Sequence, residues 1–489
     1  MDPKDAPGRK PAARREDRLL EDLRAGRPMP ARSRAALVLL LAVPTALAEI
    51  STILMEYIDA GMVGRLGAER AAAVGLVASS TWLFWGLLRG AITGFSVQVA
   101  QDIGARREAA ARATMLQGFA ATFAFAAVLG LAGALVARKL PGWLGGDPGI
   151  SRDATAYFAI FIVVCLPISV AHFLGVRVLQ AAGDMRAAGV LNVLSCALDV
   201  LFNFLFIFPS RTVAVAGARV PVPGLGLGVA GAAWGTVASE IVVGGAIMWT
   251  LFFRQPVLRL RRGDRLRFDP GVLKRAVRIG LPISVDSAVM TGAMVATTAI
   301  VAPLGAVALA ANSFAISAES LCYMPGYGIS SAATTVVGQA VGAGREVLAR
   351  SLGWTCTALG MATLAVTGAA LWIFAPEAMA LLSPDPAVCA AGAEVLRIEA
   401  FAEPLFGASI VAAGAVRGAG DTLVPAALNA ASMWLVRIPL AALLVVRHGL
   451  AGAWIAMAIE LCVRGVLLLA RQNSRAWSRP DRCRPPPEE

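Results

Sequence analysis

Three acidic residues lie in the first long apolar segment of the chain, where a carboxylate is costly. Glu49, Glu56 and Asp59 fall within residues 44–67. In a helix turning about 100° per residue, Glu49 and Glu56 lie about 20° apart and Asp59 about 60° further round, so one face carries all three. Acids at membrane depth usually face a bundle interior or a water-filled path. The pattern predicts a site that binds and releases a cation; the alternative is that a glutamate only hydrogen-bonds a neighbouring helix.

A second polar stripe lies in the fifth apolar segment, LNVLSCALDVLFNFLFIF. Asn192, Ser195, Asp199 and Asn203 are spaced at i, i+3, i+7 and i+11, which places them along one helix face. We expect Asp199 and Asn203 to join the cation site, and Asn192 and Ser195 to line a polar cavity beside Glu49. The alternative for Asp199 is a purely structural pair with Arg89.

The second half of the chain offers two further acids. Asp286 follows Pro282 by four residues, and Glu403 precedes Pro404. Acids beside helix breaks are typical of cation sites in carriers, so both are candidates for the polar cavity. No nucleophile, metal-ligand spacing or phosphate-binding motif accompanies them, so the sequence predicts no catalytic residues and no metal site. An integral-membrane enzyme is the disfavoured alternative.

The elements that position these residues are membrane helices. The chain has 489 residues, 57% of them hydrophobic and 16% charged, and its mean hydropathy is +0.68. That composition excludes an ordinary soluble protein. We predict an all-α polytopic membrane protein with twelve spans of ~20 residues. The predicted spans are 35–63, 72–97, 111–136, 154–176, 187–209, 229–253, 279–302, 307–337, 349–375, 387–415, 423–446 and 449–470.

An internal repeat divides these spans into two halves. A shift of 238 residues superposes several motifs without a gap: Pro44 on Pro282, Leu66-Gly67-Ala68 on Leu304-Gly305-Ala306, Gln101 on Gln339, Gly104-Ala105 on Gly342-Ala343, and Arg107-Glu108 on Arg345-Glu346. Six spans per half place both halves in the membrane with the same orientation. This predicts two six-helix lobes related by a pseudo-twofold axis along the membrane normal, an architecture typical of alternating-access carriers.

The acids of the first half break this repeat. Glu49, Glu56 and Asp59 correspond to Ser287, Met294 and Thr297. By contrast, Glu240 and Glu460 occupy matching places in both halves. We therefore expect the first-half acids to serve function and the repeated glutamates to serve the scaffold.

Basic residues mark one side of the membrane. The tail 1–34 holds ten Lys or Arg, the linker 254–278 nine, and the tail 471–489 five. By the positive-inside rule, both tails and the linker are cytoplasmic, and the lobes are 35–253 and 279–470 in a cell inner membrane. We expect the first tail to be disordered, except for a short helical piece near Arg14 to Arg24. The basic residues are not interleaved with aromatic residues as in a nucleic-acid-binding groove, so no nucleic acid partner is predicted.

Several motifs in this order resemble those of the multidrug and toxic compound extrusion (MATE) antiporters. They are IDAGMVGRLG in the first span, VAQDIGA and its twin VGQAVGAG, VRGAGDTLVPAALN near the tenth and eleventh spans, and MWLVRIPLA in the eleventh. The resemblance covers about residues 35 to 470. It implies a monomeric membrane antiporter that exports amphipathic, cationic drugs or metabolites, needs no cofactor, and uses H+ or Na+ as the coupling ion. A flippase for a lipid-linked glycan, from the same superfamily, is the alternative and would require a strongly cationic cavity.

The resemblance also implies roles for particular residues. Asp59 corresponds to the principal cation-coupling aspartate, and Asp199 and Asn203 occupy the places of its partners, with the two residue types exchanged. The second-half acids of sodium-coupled members fall on Met290 and Phe406. This substitution favours protons as the coupling ion.

Overall fold

Helices make up most of the chain in a computed structural model that describes residues 15–215, 218–264 and 268–478. In chain order they are α1 (Arg15–Arg24), α2 (Ala31–Gly64), α3 (Ala68–Gly104), α4 (Glu108–Ala137), α5 (Leu140–Trp143), α6 (Pro148–Ile168), α7 (Val170–Ala182), α8 (Met185–Ile207), α9 (Val229–Arg254), α10 (Pro270–Val301), α11 (Ala306–Gly342), α12 (Glu346–Leu382), α13 (Pro386–Glu399), α14 (Glu403–Gly418) and α15 (Leu423–Asn473). Two strands, β1 (Pro209–Val215) and β2 (Ala218–Leu225), lie between α8 and α9.

The predicted count of twelve spans is confirmed. Ten of the described helices are long and apolar enough to cross a bilayer. One of these, α15, bends at Gly449, where φ is 55°, and supplies the last two spans. Another span consists of α13 and α14, which are interrupted between Glu399 and Glu403. The fourth span is α6 followed by α7, with an irregular turn at Ser169.

The seventh span begins earlier than predicted, at Pro270 instead of residue 279. Asp269 caps this helix: its carboxylate accepts a hydrogen bond from the Gly271 amide at 2.7 Å. Proline at the first helical position is also favourable, because its missing N–H would have no partner there. The polar and basic composition of 270–278 masked these two start signals, so the linker is shorter than the sequence indicated.

The chain also contains a short β-hairpin, which was not predicted from the sequence. Strands β1 and β2 form an antiparallel hairpin with Val213 opposite Val220 and Thr212 opposite Pro221. The hairpin occupies the segment by which the first half exceeds the second. β-Branched residues favour extended backbone, which explains why this insertion forms strands.

The short helix that the sequence predicts near Arg14 to Arg24 is present as α1 (Arg15–Arg24), and Leu20 and Leu23 of that helix are buried. Residues 1–14 lie outside the described part of the chain. The amphipathic spacing of these leucines was visible in the sequence, but the surface that covers them was not.

The two lobes, α2–α9 and α10–α15, pack most closely at one end of the bundle. We call this the basic end, because it carries α1, the loop 255–269 and residues 474–478. A Cβ atom at Gly104 would lie 2.1 Å from the Gln339 carbonyl oxygen, and one at Gly342 would lie 2.0 Å from that of Gln101. These two contacts are related by the 238-residue shift, and both require glycine because a side chain would collide with backbone. Between the lobes, towards the membrane centre, Thr45 still donates to the Gly328 carbonyl at 2.9 Å.

Candidate ion-coupling site and inter-lobe cleft

Two helices of the first lobe, α2 and α8, form the seam on which the candidate site is built. Gly189 of α8 allows the close approach, since a Cβ there would lie 2.9 Å from the Pro44 carbonyl oxygen. One turn along the seam, the Asn192 amide donates to the Ala48 carbonyl at 3.2 Å and to the Thr52 hydroxyl at 3.1 Å. The seam therefore fixes how α8 is rotated against α2.

Asp59, Asp199 and Asn203 meet where this seam ends, and we call them the coupling triad. The Asn203 amide nitrogen donates to Asp59 Oδ1 at 2.9 Å and to Asp199 Oδ2 at 2.8 Å. Asp199 and Asn203 are each 1% exposed, whereas Asp59 is half-buried. One amide thus joins two carboxylates that belong to different helices.

The third wall of the triad comes from α9. The Ser239 hydroxyl donates to Asp199 Oδ1 at 3.3 Å. A Cβ at Gly235 would lie 2.0 Å from Asn203 Oδ1, so only glycine leaves room for the Asn203 side chain in this position. Asp199 is therefore held by hydrogen bonds from Asn203 and Ser239, and the described residues do not form the alternative Asp199–Arg89 pair.

The electrostatics of the triad favour an exchangeable positive charge. Burial disfavours ionised carboxylates, and two carboxylates close together repel each other when both are ionised. Glu56, one turn before Asp59 on α2, adds to the same negative field, and Glu49 adds to it from further along the helix. Both glutamates are half-buried, and neither makes a side-chain hydrogen bond within the described residues. The arrangement can hold a proton and release it when another cation approaches.

Two residues predicted to line the cavity, Asn192 and Ser195, lie at contacts between helices. The Asn192 amide donates its hydrogen bonds to the Ala48 carbonyl and the Thr52 hydroxyl of α2, as described above. Ser195 is 5% exposed, one turn before Asp199 on α8. Periodicity identified the correct helix face, but that face is turned toward α2 and α9.

The two second-half candidates do not share one site. Asp286 Oδ2 accepts from the Asn429 amide at 3.2 Å, and its charged neighbours are arginines, Arg417 foremost. Glu403 is fully buried inside the second lobe and lies in the electrostatic field of Glu319. Sequence reasoning treated these acids alike because both stand beside a proline.

The second lobe also contains a buried acidic group that was not predicted as a unit. Glu319, Glu399 and Glu403 lie close enough to influence one another, and Glu399 is fully buried. Glu399 and Glu403 flank the interruption between α13 and α14. Their i, i+4 spacing was the sequence signal for this group.

Three arginines of the cleft between the lobes were overlooked as a set. Arg89 on α3 is exposed, while Arg177 on α7 and Arg417 on α14 are half-buried, and all three lie in one another's electrostatic field. Arg177 donates to Gln180 Oε1 at 3.1 Å and to the Ser331 hydroxyl. Among the described residues, none of the three arginines forms a salt bridge with a carboxylate. In the sequence, Arg177 and Arg417 lie near the ends of predicted spans, so they resembled the charged residues that ordinarily flank a membrane span.

Comparison with known proteins identifies the family. The MatE family model matches the chain twice, over residues 44–205 and 282–443, so the second match begins and ends 238 residues after the first. The chain belongs to the MatE family. Members of the MatE family are transporters, not enzymes, and they work without a cofactor. The double match agrees with the repeat seen in the sequence.

Relatives and solved structures extend along nearly the whole chain. The multidrug resistance protein NorM of Burkholderia vietnamiensis is 28% identical over 448 residues, covering 90% of this chain and 93% of its own. A crystal structure of a MATE protein in the straight conformation superposes with a TM-score of 0.82 at 21% identity, covering 93% of this chain and 97% of that one. The outward-facing conformation of a multidrug resistance MATE family transporter also superposes with a TM-score of 0.82, at 21% identity, covering 90% and 95%. The protein is a membrane transporter of the MatE family.

Proposed function

We propose that the protein is a secondary active antiporter that exports amphipathic, cationic compounds in exchange for protons. The observation that carries this proposal is the coupling triad, in which one Asn203 amide joins Asp59 and Asp199. Ions reach the site at the half-buried Asp59, and the buried Asp199 responds electrostatically to the charge on Asp59. A cationic substrate and a proton then compete for the same negative field.

The coupling ion is proposed to be a proton and not sodium. Sodium requires several oxygen ligands arranged around it, whereas the Asn203 group that faces both carboxylates is the donor nitrogen. A donor in that position competes with a metal cation but is compatible with a proton on either carboxylate. The apolar Met290 and Phe406, in the places of the second-half acids of sodium-coupled members, support the same assignment.

Transport requires the two lobes to expose the triad to one side of the membrane at a time. We infer that the basic end is cytoplasmic, because it carries most of the Lys and Arg outside the spans. The close contacts of Gly104 and Gly342 with the opposite lobe then seal the cytoplasmic side. The protein would act as a monomer in the inner membrane, surrounded by lipid, with both termini in the cytoplasm.

Reconstitution tests the proposal directly. Purified protein in proteoliposomes should concentrate a fluorescent cationic amphipath when a proton gradient is imposed, and should not respond to a sodium gradient of equal size at constant pH. Transport driven only by the sodium gradient would reject proton coupling. If neither gradient drives accumulation, secondary antiport is rejected.

A second candidate cargo is favoured by the three cleft arginines. Among the described residues, three acids lie in the electrostatic field of Arg89, Arg177 and Arg417, so the cleft carries positive as well as negative charge; these acids are Glu49, Glu56 and Asp286. An amphipath with an anionic head, such as the diphosphate of a lipid-linked glycan, would match that charge.

Competition distinguishes the two cargoes. For a cationic cargo, an anionic diphosphate amphipath should leave binding of the cationic probe unchanged, and Arg89→Gln should leave its affinity equal or slightly higher. Displacement of the probe by the diphosphate amphipath, abolished by Arg89→Gln, would instead favour the flippase.

A further inference from the structure

We propose that the N-terminal helix α1 is a clasp that holds the basic end closed and must be released before that end can open. The inference rests on the alternating-access function proposed above. It concerns a segment that precedes the part of the chain matched by the family model, which begins at residue 44. The clasp therefore adds a control to the transport cycle that the repeated scaffold does not contain.

The apolar face of α1 binds in the groove between the lobes. Leu20 is 2% exposed and Leu23 is fully buried. They belong to one hydrophobic cluster with Leu41 and Met185 of the first lobe and Val336 of the second. Because separating the lobes at this end would expose these leucines to water, their burial stabilises the closed state.

Leu20 packs against Gly183 of the first lobe. This glycine ends α7 with φ of 91°, a left-handed conformation that favours glycine, and a Cβ there would lie 2.3 Å from Leu20 Cδ1. The groove thus has a position shaped for this side chain. Leu20 therefore packs directly against the backbone at the end of α7.

Polar anchors connect α1 to both lobes. Arg24 Nε donates to Gln339 Oε1 of the second lobe at 3.0 Å, and Arg24 Nη2 donates to the Ala182 carbonyl of the first lobe at 3.0 Å. In the other direction, Arg345 of the second lobe donates to the carbonyls of Leu23 at 3.1 Å and of Arg27 at 2.9 Å. One guanidinium on α1 therefore bridges the lobes, and a second one holds the end of the helix.

Ion pairs fasten α1 to the first lobe. Glu16 Oε1 lies 3.0 Å from Arg186 Nε, and Glu21 pairs with Arg106. Together with the covalent connection to α2, these contacts make the first lobe the fixed side. Opening of the basic end therefore breaks mainly the contacts of α1 with Gln339 and Arg345.

The repeat shows what α1 adds to the seal. Gln101 and Gln339 are repeat-equivalent, and each reaches across to the opposite lobe: Gln101 Nε2 donates to the Gly418 carbonyl at 3.2 Å, and Gln339 Nε2 donates to the Ala181 carbonyl at 2.7 Å. Of this pair, Gln339 also accepts the bond from Arg24. The clasp thus reinforces one of two symmetric latches at the point where the lobes must separate.

Distance measurements on the full chain in lipid nanodiscs test the clasp. Nitroxide labels at Ala109 and Val347, which are repeat-equivalent and both exposed at the basic end, report separation of the lobes by electron double resonance. The double variant Leu20→Ala, Arg24→Ala should raise the ratio of long to short distances at least tenfold. Arg15→Ala, which removes an exposed arginine from the start of the same helix, is the matched control and should leave the ratio within twofold.

A second variant keeps the test decisive if the double variant does not fold. Arg345→Ala removes the anchor on the opposite lobe and should shift the ratio in the same direction. An unchanged ratio of long to short distances in these variants, or an equal shift in the Arg15→Ala control, would overturn the clasp. The proposed antiport would still stand in that case, provided that the wild-type protein shows both distances. Absence of the long distance from wild type and all variants, at pH 5 and pH 8 alike, would overturn the clasp together with alternating access.

Discussion

Replacing Asp59 by asparagine separates the shape of the coupling site from its charge. An asparagine oxygen can still accept the bond that Asn203 donates at 2.9 Å, and the position is half-buried, so the folding cost should stay below about 1 kcal/mol. The variant cannot bind and release a proton there. Asp59→Asn should therefore be a folded protein that carries substrate only downhill.

The magnitude follows from the free energy of one exchanged proton. Because the proton and a singly charged cation cross in opposite directions, their one-for-one exchange moves no net charge, and the pH difference drives it. A difference of one pH unit is worth about 1.4 kcal/mol and supports roughly a tenfold substrate gradient. Accumulation of a fluorescent cation in proteoliposomes, under a fixed proton gradient and membrane potential, measures this ratio. For wild type we expect a gradient of that order, and for Asp59→Asn a ratio near one once passive distribution of the cation is subtracted.

Thr297→Asn is the matched control, because Thr297 is the repeat-equivalent of Asp59. Its hydroxyl bonds only within its own helix, to the Ala293 carbonyl at 2.9 Å, and it borders a cavity of about 20 Å³ that can take part of a larger side chain. Transport by this variant should remain near the wild-type level. Active accumulation by Asp59→Asn, or equal loss in Thr297→Asn, would refute the assignment of coupling to the first lobe.

Two further predictions concern the triad and the orientation of the chain. Gly235→Ala should abolish driven transport and lower the melting temperature, because the new methyl group would overlap Asn203. Gly245→Ala on the same helix should do neither, because a Cβ there meets nothing within 4 Å. Equal behaviour of the two variants would reject the packing argument. Impermeant thiol labelling of intact cells should reach Leu225→Cys in the hairpin and miss Arg262→Cys in the linker. The reverse pattern would place the basic end outside the cell.

The internal repeat let the sequence predict much of the fold. Twelve apolar stretches and the 238-residue register anticipated the two lobes. The two repeated glutamates pair with neighbouring side chains, as expected of scaffold residues: His172 bonds Glu240 at 2.9 Å, and Arg464 bonds Glu460 at 2.9 Å. Periodicity succeeds here because spacing within a helix determines which residues share a face.

The contacts between helices could not be predicted in the same way. Spacing along α2 and α8 does not give the distance between Asp59 and Asn203, nor does it reveal that Gly235 makes room for the amide. The docking of α1 was missed for the same reason, since much of its groove is built from residues more than 150 positions away, such as Gln339. Long-range packing decided these details.

The central claim is that substrate and proton compete for the same carboxylates. Binding of a cationic substrate should then displace protons, because the coupling between two ligands is reciprocal. Isothermal titration calorimetry of detergent-solubilised protein at pH 7, in two buffers of different ionisation enthalpy, counts the protons released per substrate bound. We predict the release of about one proton from wild type and none from Asp59→Asn, which follows from the single exchangeable proton assigned to the triad. Substrate binding by wild type without proton release, or equal release from both proteins, would contradict the account.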